Sequence, residues 1–259
     1  MDLELAGKSA VVTGASKGIG RAIAEALAAE GCRLHLAART EADLAAVRDD
    51  LDTRFGARAT IHPGDLGRDA EVAKLAAACA DVDILVNNAG AIPAGDLGRV
   101  DAATWRQAWD LKVFGFIGLT RALYPRMCDR GSGVIVNIIG TGGTRPNANF
   151  VAGSMGNASL MALTTALGAE SLDHGVRVVG INPGPIETER LRVQSERRAE
   201  VDFGDRGRWR EVLANLPAGR PGLPREIGEV AAFLASPRAA WISGTVINVD
   251  GGQHARAPH

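Results

Sequence analysis

The sequence predicts one α/β domain built on a doubly wound parallel sheet. Two observations carry this. Short apolar runs alternate with longer segments of helical spacing along the whole 259 residues. Alternation of that kind builds a parallel sheet with helices on both faces, joined by right-handed crossovers. A glycine-rich turn also stands where the first apolar run meets the first helical one.

The elements follow in order. Residues 9–13 form an apolar run stopped by Gly14, and residues 21–30 an Ala-rich helix ended by Gly31, a C-cap signal. Residues 33–38 read as a strand, 41–55 as a helix, 57–62 as a strand stopped by Pro63-Gly64, and 69–80 as a helix. The unbroken apolar run at 83–86 reads as a strand buried on both faces. A long helix at 102–130 ends at Gly131, and a strand follows at 133–138. Residues 154–173 read as a helix and 176–181 as a strand. Residues 187–216 are charged and irregular. A helix at 225–235 and a strand at 245–249 close the domain, which spans residues 1–253, and residues 254–259 read as a loose tail.

The turn Gly14-Ala15-Ser16-Lys17-Gly18-Ile19-Gly20 points to a dinucleotide. Gly14 permits a sharp turn, Gly18 lets the backbone approach a pyrophosphate, and Gly20 lets the helix sit close to the sheet. Free N–H groups and the dipole at the helix start favour phosphate. The second strand ends Leu36-Ala37-Ala38-Arg39-Thr40, without the acid that would bind an NAD ribose. Arg39 and Lys17 are placed instead to pair with a 2′-phosphate, so the expected cofactor is NADP rather than NAD.

Composition limits the partners. Apolar residues make up 46%, charged residues 23%, and the net charge is −1. That balance argues against disorder and gives no general electrostatic reason to bind nucleic acid or an anionic membrane. The cysteines, Cys32, Cys79 and Cys128, are scattered and odd in number, as suits a reducing compartment. The opening residues lack a basic-then-apolar leader pattern, and no apolar run could span a bilayer, so the expected location is cytoplasmic. No metal cluster is expected: His35 and His62 read as strand packing or edge residues, and His174 as a helix-end residue.

Further motifs fall in order: Asp65-Leu66 after the third strand, Asn87-Asn88-Ala89-Gly90 after the fourth, and Asn182-Pro183-Gly184-Pro185-Ile186-Glu187-Thr188 after the sixth. Together with the phosphate turn they resemble the short-chain dehydrogenase/reductase family, from Leu5 to Gly252. The resemblance implies a Rossmann-type fold and cofactor contacts through Gly14, Ser16, Lys17, Gly18, Ile19, Gly20 and Arg39. It implies that Asp65 binds the adenine amino group and Leu66 packs on the ring. Asn87, Ala89 and Gly90 would line the adenosine side and steady the central strand. Pro183, Gly184, Ile186 and Thr188 would hold the nicotinamide end, under a lid at 188–216. It also implies a small-molecule substrate and a homo-oligomer, tetramer or dimer, with an interface on the helices at 102–130 and 154–173.

The family's catalytic Asn, Ser, Tyr and Lys do not carry over. The register of Leu160-Met161-Ala162-Leu163-Thr164 puts Lys112, Gly140, Gly153 and Asn157 at those four positions. No slip restores them, because Tyr124 is the only tyrosine and no lysine lies four residues after it. Loss of the tyrosine removes the proton donor, typically worth ~10²–10⁴ in rate, but leaves the cofactor site. Three readings stay open. An oxidoreductase could use Lys112, reaching toward Asn157, with Ser154, Thr141 or water passing protons; the alternatives are a snorkelling Lys112 and a Ser154 that merely caps a helix. A lyase or isomerase could work on the same fold, with Arg145, Asn147 and Asn149 binding a polar substrate unless they are simply solvated loop. A catalytically silent dinucleotide sensor or partner subunit is the third.

Overall fold

A computed structural model describes residues 1–256. Seven parallel strands form one sheet: β1 (Ser9–Thr13), β2 (Arg33–Ala38), β3 (Ala59–Pro63), β4 (Ile84–Asn87), β5 (Gly133–Ile138), β6 (Val176–Pro183) and β7 (Val246–Val249). Their order is β3-β2-β1-β4-β5-β6-β7. The direction of winding reverses between β1 and β4, and the crevice outside the carboxyl ends of those strands is where open α/β sheets bind ligands.

The strands alternate their side chains between two cores, as a period of two requires. Ala10, Val12, Leu34, Leu36, Ile84 and Val86 face one core with α1 (Gly18–Ala29), α2 (Glu41–Phe55) and α8 (Pro224–Ala235). Val11, Ala37, Leu85 and Ile135 face the other, with α3 (Asp69–Ala78) and α5 (Gly115–Arg130). The central strands β1, β4 and β6 are buried along their whole length, and their few polar residues, such as Asn87, Arg177 and Asn182, are buried with them. Among the described residues no helix is long and apolar enough to cross a membrane.

Three segments differ from the sequence expectation. The helix expected at 102–130 is two helices, α4 (Ala102–Trp109) and α5, joined through a π-helical turn at Asp110–Phe114 that contains Lys112. A π-turn inserts a residue without breaking the apolar pattern, so sequence periodicity passes over it. The helix expected to start at Ser154 starts at Val151, with Phe150 as its N-cap, and α6 runs Val151–Glu170. Ser154 therefore does not cap it. The segment expected to be irregular holds α7 (Glu189–Phe203), capped by the Thr188 hydroxyl accepting from Leu191 N, and a 3-10 helix at Arg206–Leu213. Its helix is held by charged i,i+4 pairs, Arg192–Glu196 and Arg198–Asp202, rather than by an apolar face. Of the expected loose tail, Gln253–Ala255 form a 3-10 turn bonded to Asp250, and residues 257–259 lie outside the described ones.

Candidate active site

The glycine turn after β1 has the form the sequence asked for. Gly14 has φ +66° and Gly18 φ +57°. A Cβ on Gly20 would stand 2.2 Å from the Gly14 carbonyl oxygen, so only glycine permits the helix to come this close. No side chain caps the start of α1, which leaves its first N–H groups facing the crevice. Ser16 and Ile19 are half-buried in this turn, while Lys17, the N-cap of α1, and Arg39, just after β2, are exposed. Neither of these two cations has a protein ion-pair partner among the described residues.

The loop after β4 is fastened to this turn through one hydroxyl. Thr13 Oγ1 donates to Val86 O at 3.3 Å and accepts from Asn88 N at 2.8 Å and Ala89 N at 3.0 Å. The Asn88 amide donates to Thr13 O at 2.8 Å. Asn87 is fully buried, and its amide donates to Asn137 Oδ1 at 2.9 Å and Thr120 Oγ1 at 3.2 Å. It steadies the central strands, and its side chain is turned from the crevice. Ala89 and Gly90 line the loop itself, where a Cβ on Gly90 would stand 2.8 Å from the Lys112 stem.

On the far side of the crevice, Asp65 is exposed after β3 with Oδ1 accepting from Gly67 N, and Leu66 is buried beside it. Pro183 ends β6, and Gly184 N donates to Val249 O. Ile186 is buried, and the Thr188 methyl sits 3.2 Å from where a Gly18 Cβ would be. The stretch after β6 thus folds down onto the phosphate turn.

The four positions assigned to the family's catalytic residues surround one spot. The Lys112 ammonium donates to Ile139 O at 2.6 Å, the carbonyl just before Gly140. Asn157 Nδ2 lies 3.1 Å from where a Gly140 Cβ would be and 3.3 Å from that of Gly142. Lys112 and Asn157 therefore converge on the same segment, although the ammonium bonds the backbone and not the Asn157 amide. Asn157 Oδ1 is buried and has no hydrogen-bond partner among the described residues. Gly140 N donates to Asn182 Oδ1 at 3.1 Å, which holds the segment to β6.

Two features of the spot were not legible in sequence. The Phe150 ring lies directly over Gly153: a Cβ there would come within 1.9 Å of the ring. The ring belongs to an apolar cluster with Ile92, Trp105, Ala108, Trp109 and Ala152. Gly140 has φ +131° and ψ 144°, a conformation essentially reserved for glycine. Gly140 and Gly153 are thus both positions that this backbone and this ring close to any larger side chain. The second feature is Arg190 of α7, whose guanidinium donates to Ile92 O at 2.6 Å and Gly90 O at 3.5 Å. It brings a second cation to the crevice. Burial first, and then the Arg190 charge, push the Lys112 ammonium down to about 7.

The other sequence candidates sit apart from this spot. The Ser154 hydroxyl accepts from Asn147 N at 3.2 Å and so pins the loop before α6. Arg145 donates to Gln253 O, Asn147 Oδ1 accepts from Asn149 N, and Asn149 O accepts from Gly95 N. Each of these bonds organises the loop.

Comparisons with known proteins identify the family to which this fold belongs. Residues 14–254 match the family model described as enoyl-(acyl carrier protein) reductase. The chain belongs to the short-chain dehydrogenase/reductase family. It is 38% identical over 250 residues to galactitol 2-dehydrogenase (L-tagatose-forming) of Cereibacter sphaeroides, covering 96% of this chain and 95% of that one. It is 35% identical to the 3-oxoacyl-[acyl-carrier-protein] reductase FabG of Escherichia coli (strain K12), covering 96% and 98%. L-sorbose reductase from Gluconobacter frateurii, solved with NADPH and L-sorbose, superposes with a TM-score of 0.92 at 31% identity, covering 99% and 100%. The chain is thus of NAD(P)-dependent oxidoreductase type.

Proposed function

We propose that the protein is an NADP(H)-dependent oxidoreductase acting on a small carbonyl or alcohol substrate, with Lys112 handling the proton in place of the family's tyrosine. The observation that carries this is the Lys112 ammonium, 2.6 Å from Ile139 O beside Gly140 and brought down to about 7. A group of that acidity is half protonated near neutral pH, where general acid–base catalysis is most effective.

The residues present fit a nicotinamide dinucleotide. Gly20 lets α1 pack tightly against the turn, and the start of α1 offers free N–H groups to phosphate. The unpartnered Asn157 Oδ1 is a buried acceptor that a sugar hydroxyl would satisfy. Lys17 and Arg39 are the residues for a 2′-phosphate, and Asp65, Leu66, Ile186 and Thr188 would bound the two ends. When bound, the nicotinamide ring supplies or accepts a hydride.

The chain's own part is positioning and proton handling. In reduction Lys112 Nζ holds a proton for the developing alkoxide, and in oxidation the neutral amine takes one up. The bond to Ile139 O fixes the direction in which Nζ points. Asn157 orients sugar hydroxyls in place of the lost lysine, and Ser154 acts by holding the loop over the site. Exposed Phe114 and Met155 on the helices around the site suit an interface between copies of this chain, as a dimer or tetramer. The unpaired cysteines suit a cytoplasmic location.

The test is NADPH binding followed by turnover on a panel of small ketones, aldehydes and ketoses at varied pH. Reduction is expected to fall as pH rises through about 7, where Lys112 loses its proton, and Lys112→Met is expected to lose ~10²–10⁴ in rate. Tight binding without turnover on any member of the panel would overturn the reading. It would favour instead the silent dinucleotide-binding subunit to which the Phe150 ring over Gly153 also corresponds.

A further inference from the structure

A second cluster of chemically active side chains lies where β2 and β3 pack against α3. His35 on β2 and His62 on β3 are 27 residues apart in sequence. The register pairs Ala37 with His62, so His35 and His62 are diagonal neighbours on one face of the sheet. His35 Nδ1 and His62 Nε2 are 2.9 Å apart, and the rings stack at 5.2 Å between centroids. Cys79, the C-cap residue of α3, is buried on the same face. The three potential donor atoms lie within 4.8 Å of one another. The sequence raised no expectation of a metal here, because spacing along the chain does not show a group of side chains that only the β2–β3 register assembles.

We propose that His35, His62 and Cys79 form a binding site for a thiophilic divalent cation of the zinc class. Two imidazoles and one thiolate are a borderline-soft donor set that suits Zn²⁺ and excludes Ca²⁺ and Mg²⁺. Tetrahedral zinc with Zn–N of about 2.0–2.1 Å and Zn–S of about 2.3 Å needs donors roughly 3.3–3.6 Å apart. The histidine nitrogens must open by a few tenths of an ångström, and Cys79 Sγ must close by at most about 1 Å, within side-chain rotation. Both imidazoles are held neutral: burial lowers each, and at His62 the neighbouring His35 and Lys74 lower it further. Neutral imidazole is the form that ligates.

A shallow groove along β3 and α3 brings His62 to the surface beside Gly64, Glu71 and Lys74, and gives an entry path. Binding breaks the Cys79 S–H bond, forms a metal–sulfur bond and releases one proton to water, with a water molecule in the fourth position. Burial pushes the free thiol up to about 12, so without the cation it stays protonated. The bound cation would clip the edge strand β3 to β2 and to the end of α3. This is a structural role.

The experiment uses the full chain, free of any affinity tag and stripped with chelator, titrated with Co²⁺ and followed by absorption. A thiolate-to-cobalt band that saturates at one equivalent and is abolished by Zn²⁺ is expected. Cys79→Ser is expected to remove the band, His35→Gln to weaken cobalt binding at least tenfold, and His254→Asn to change neither. Zn²⁺ at a hundredfold excess over its Kd should raise Tm by roughly 5–10 °C in the native chain and not in Cys79→Ser. Absence of a cobalt–thiolate band in the native chain, or its persistence in Cys79→Ser with normal circular dichroism, would overturn the proposal.

Discussion

Lys112→Met separates what the lysine does for the fold from what it does in the site. The ammonium is pushed from 10.5 down to about 7, chiefly by burial. Such a displacement is worth up to about 5 kcal/mol against the folded state when the group is charged, at about 1.4 kcal/mol for each pH unit. The unfolded chain keeps its proton up to the ordinary lysine value. Between pH 7 and 10.5 the unfolded state therefore binds more protons than the folded state, and native stability rises with pH across that window. Methionine keeps the length of the stem and removes the charge, but leaves Ile139 O without its 2.6 Å donor, a loss of about 1–3 kcal/mol. The net gain near pH 6 is about 2–4 kcal/mol, or roughly 5–10 °C in Tm for a chain of this size. It should shrink to nothing, or reverse, by pH 10. Paired thermal melts of native and variant protein from pH 6 to pH 10 read this directly. Parallel pH–stability curves for the two proteins would refute the assignment of a buried, low-affinity proton to Lys112, whatever the activity of the variant.

Two further outcomes follow from the site. Gly153→Tyr alone is expected to destabilise by about 2–4 kcal/mol, because its Cβ would come within 1.9 Å of the Phe150 ring, while Gly153→Tyr with Phe150→Ala should recover most of that loss in denaturant titrations. Equal loss in the single and double variants would show that the ring is not the obstacle. Arg39→Ala is expected to weaken NADPH binding about tenfold, about 1.4 kcal/mol, while leaving NADH binding within about twofold. A parallel fall for both nucleotides in fluorescence titration would remove Arg39 from the 2′-phosphate.

The fold was legible because its signals are local. Gly14 and Gly31 each end an element with φ beyond +60°, and the apolar run at 83–86 announces a strand buried on both faces. The phosphate turn was legible for the same reason. What the sequence could not give depends on contacts between distant residues. The π-turn at Lys112 leaves apolar periodicity nearly intact, and α7 has few apolar residues facing a core, so neither shows as a pattern. The Phe150 ring is three residues from Gly153 in sequence, yet only the start of α6 at Val151 folds it back over that glycine. That the chain has no Tyr-x-x-x-Lys could be read directly; the ring over Gly153 could not. His35 and His62 meet only through strand register.

Thr188 joins two parts of the molecule that the chain order keeps apart. Its hydroxyl begins α7 by accepting from Leu191 N, and its methyl lies 3.2 Å from where a Gly18 Cβ would stand. The start of α7 is thus seated on the turn after β1. Arg190, two positions beyond Thr188, reaches the Gly90 and Ile92 carbonyls. A single helical turn therefore fastens the loop after β1 to the loop after β4.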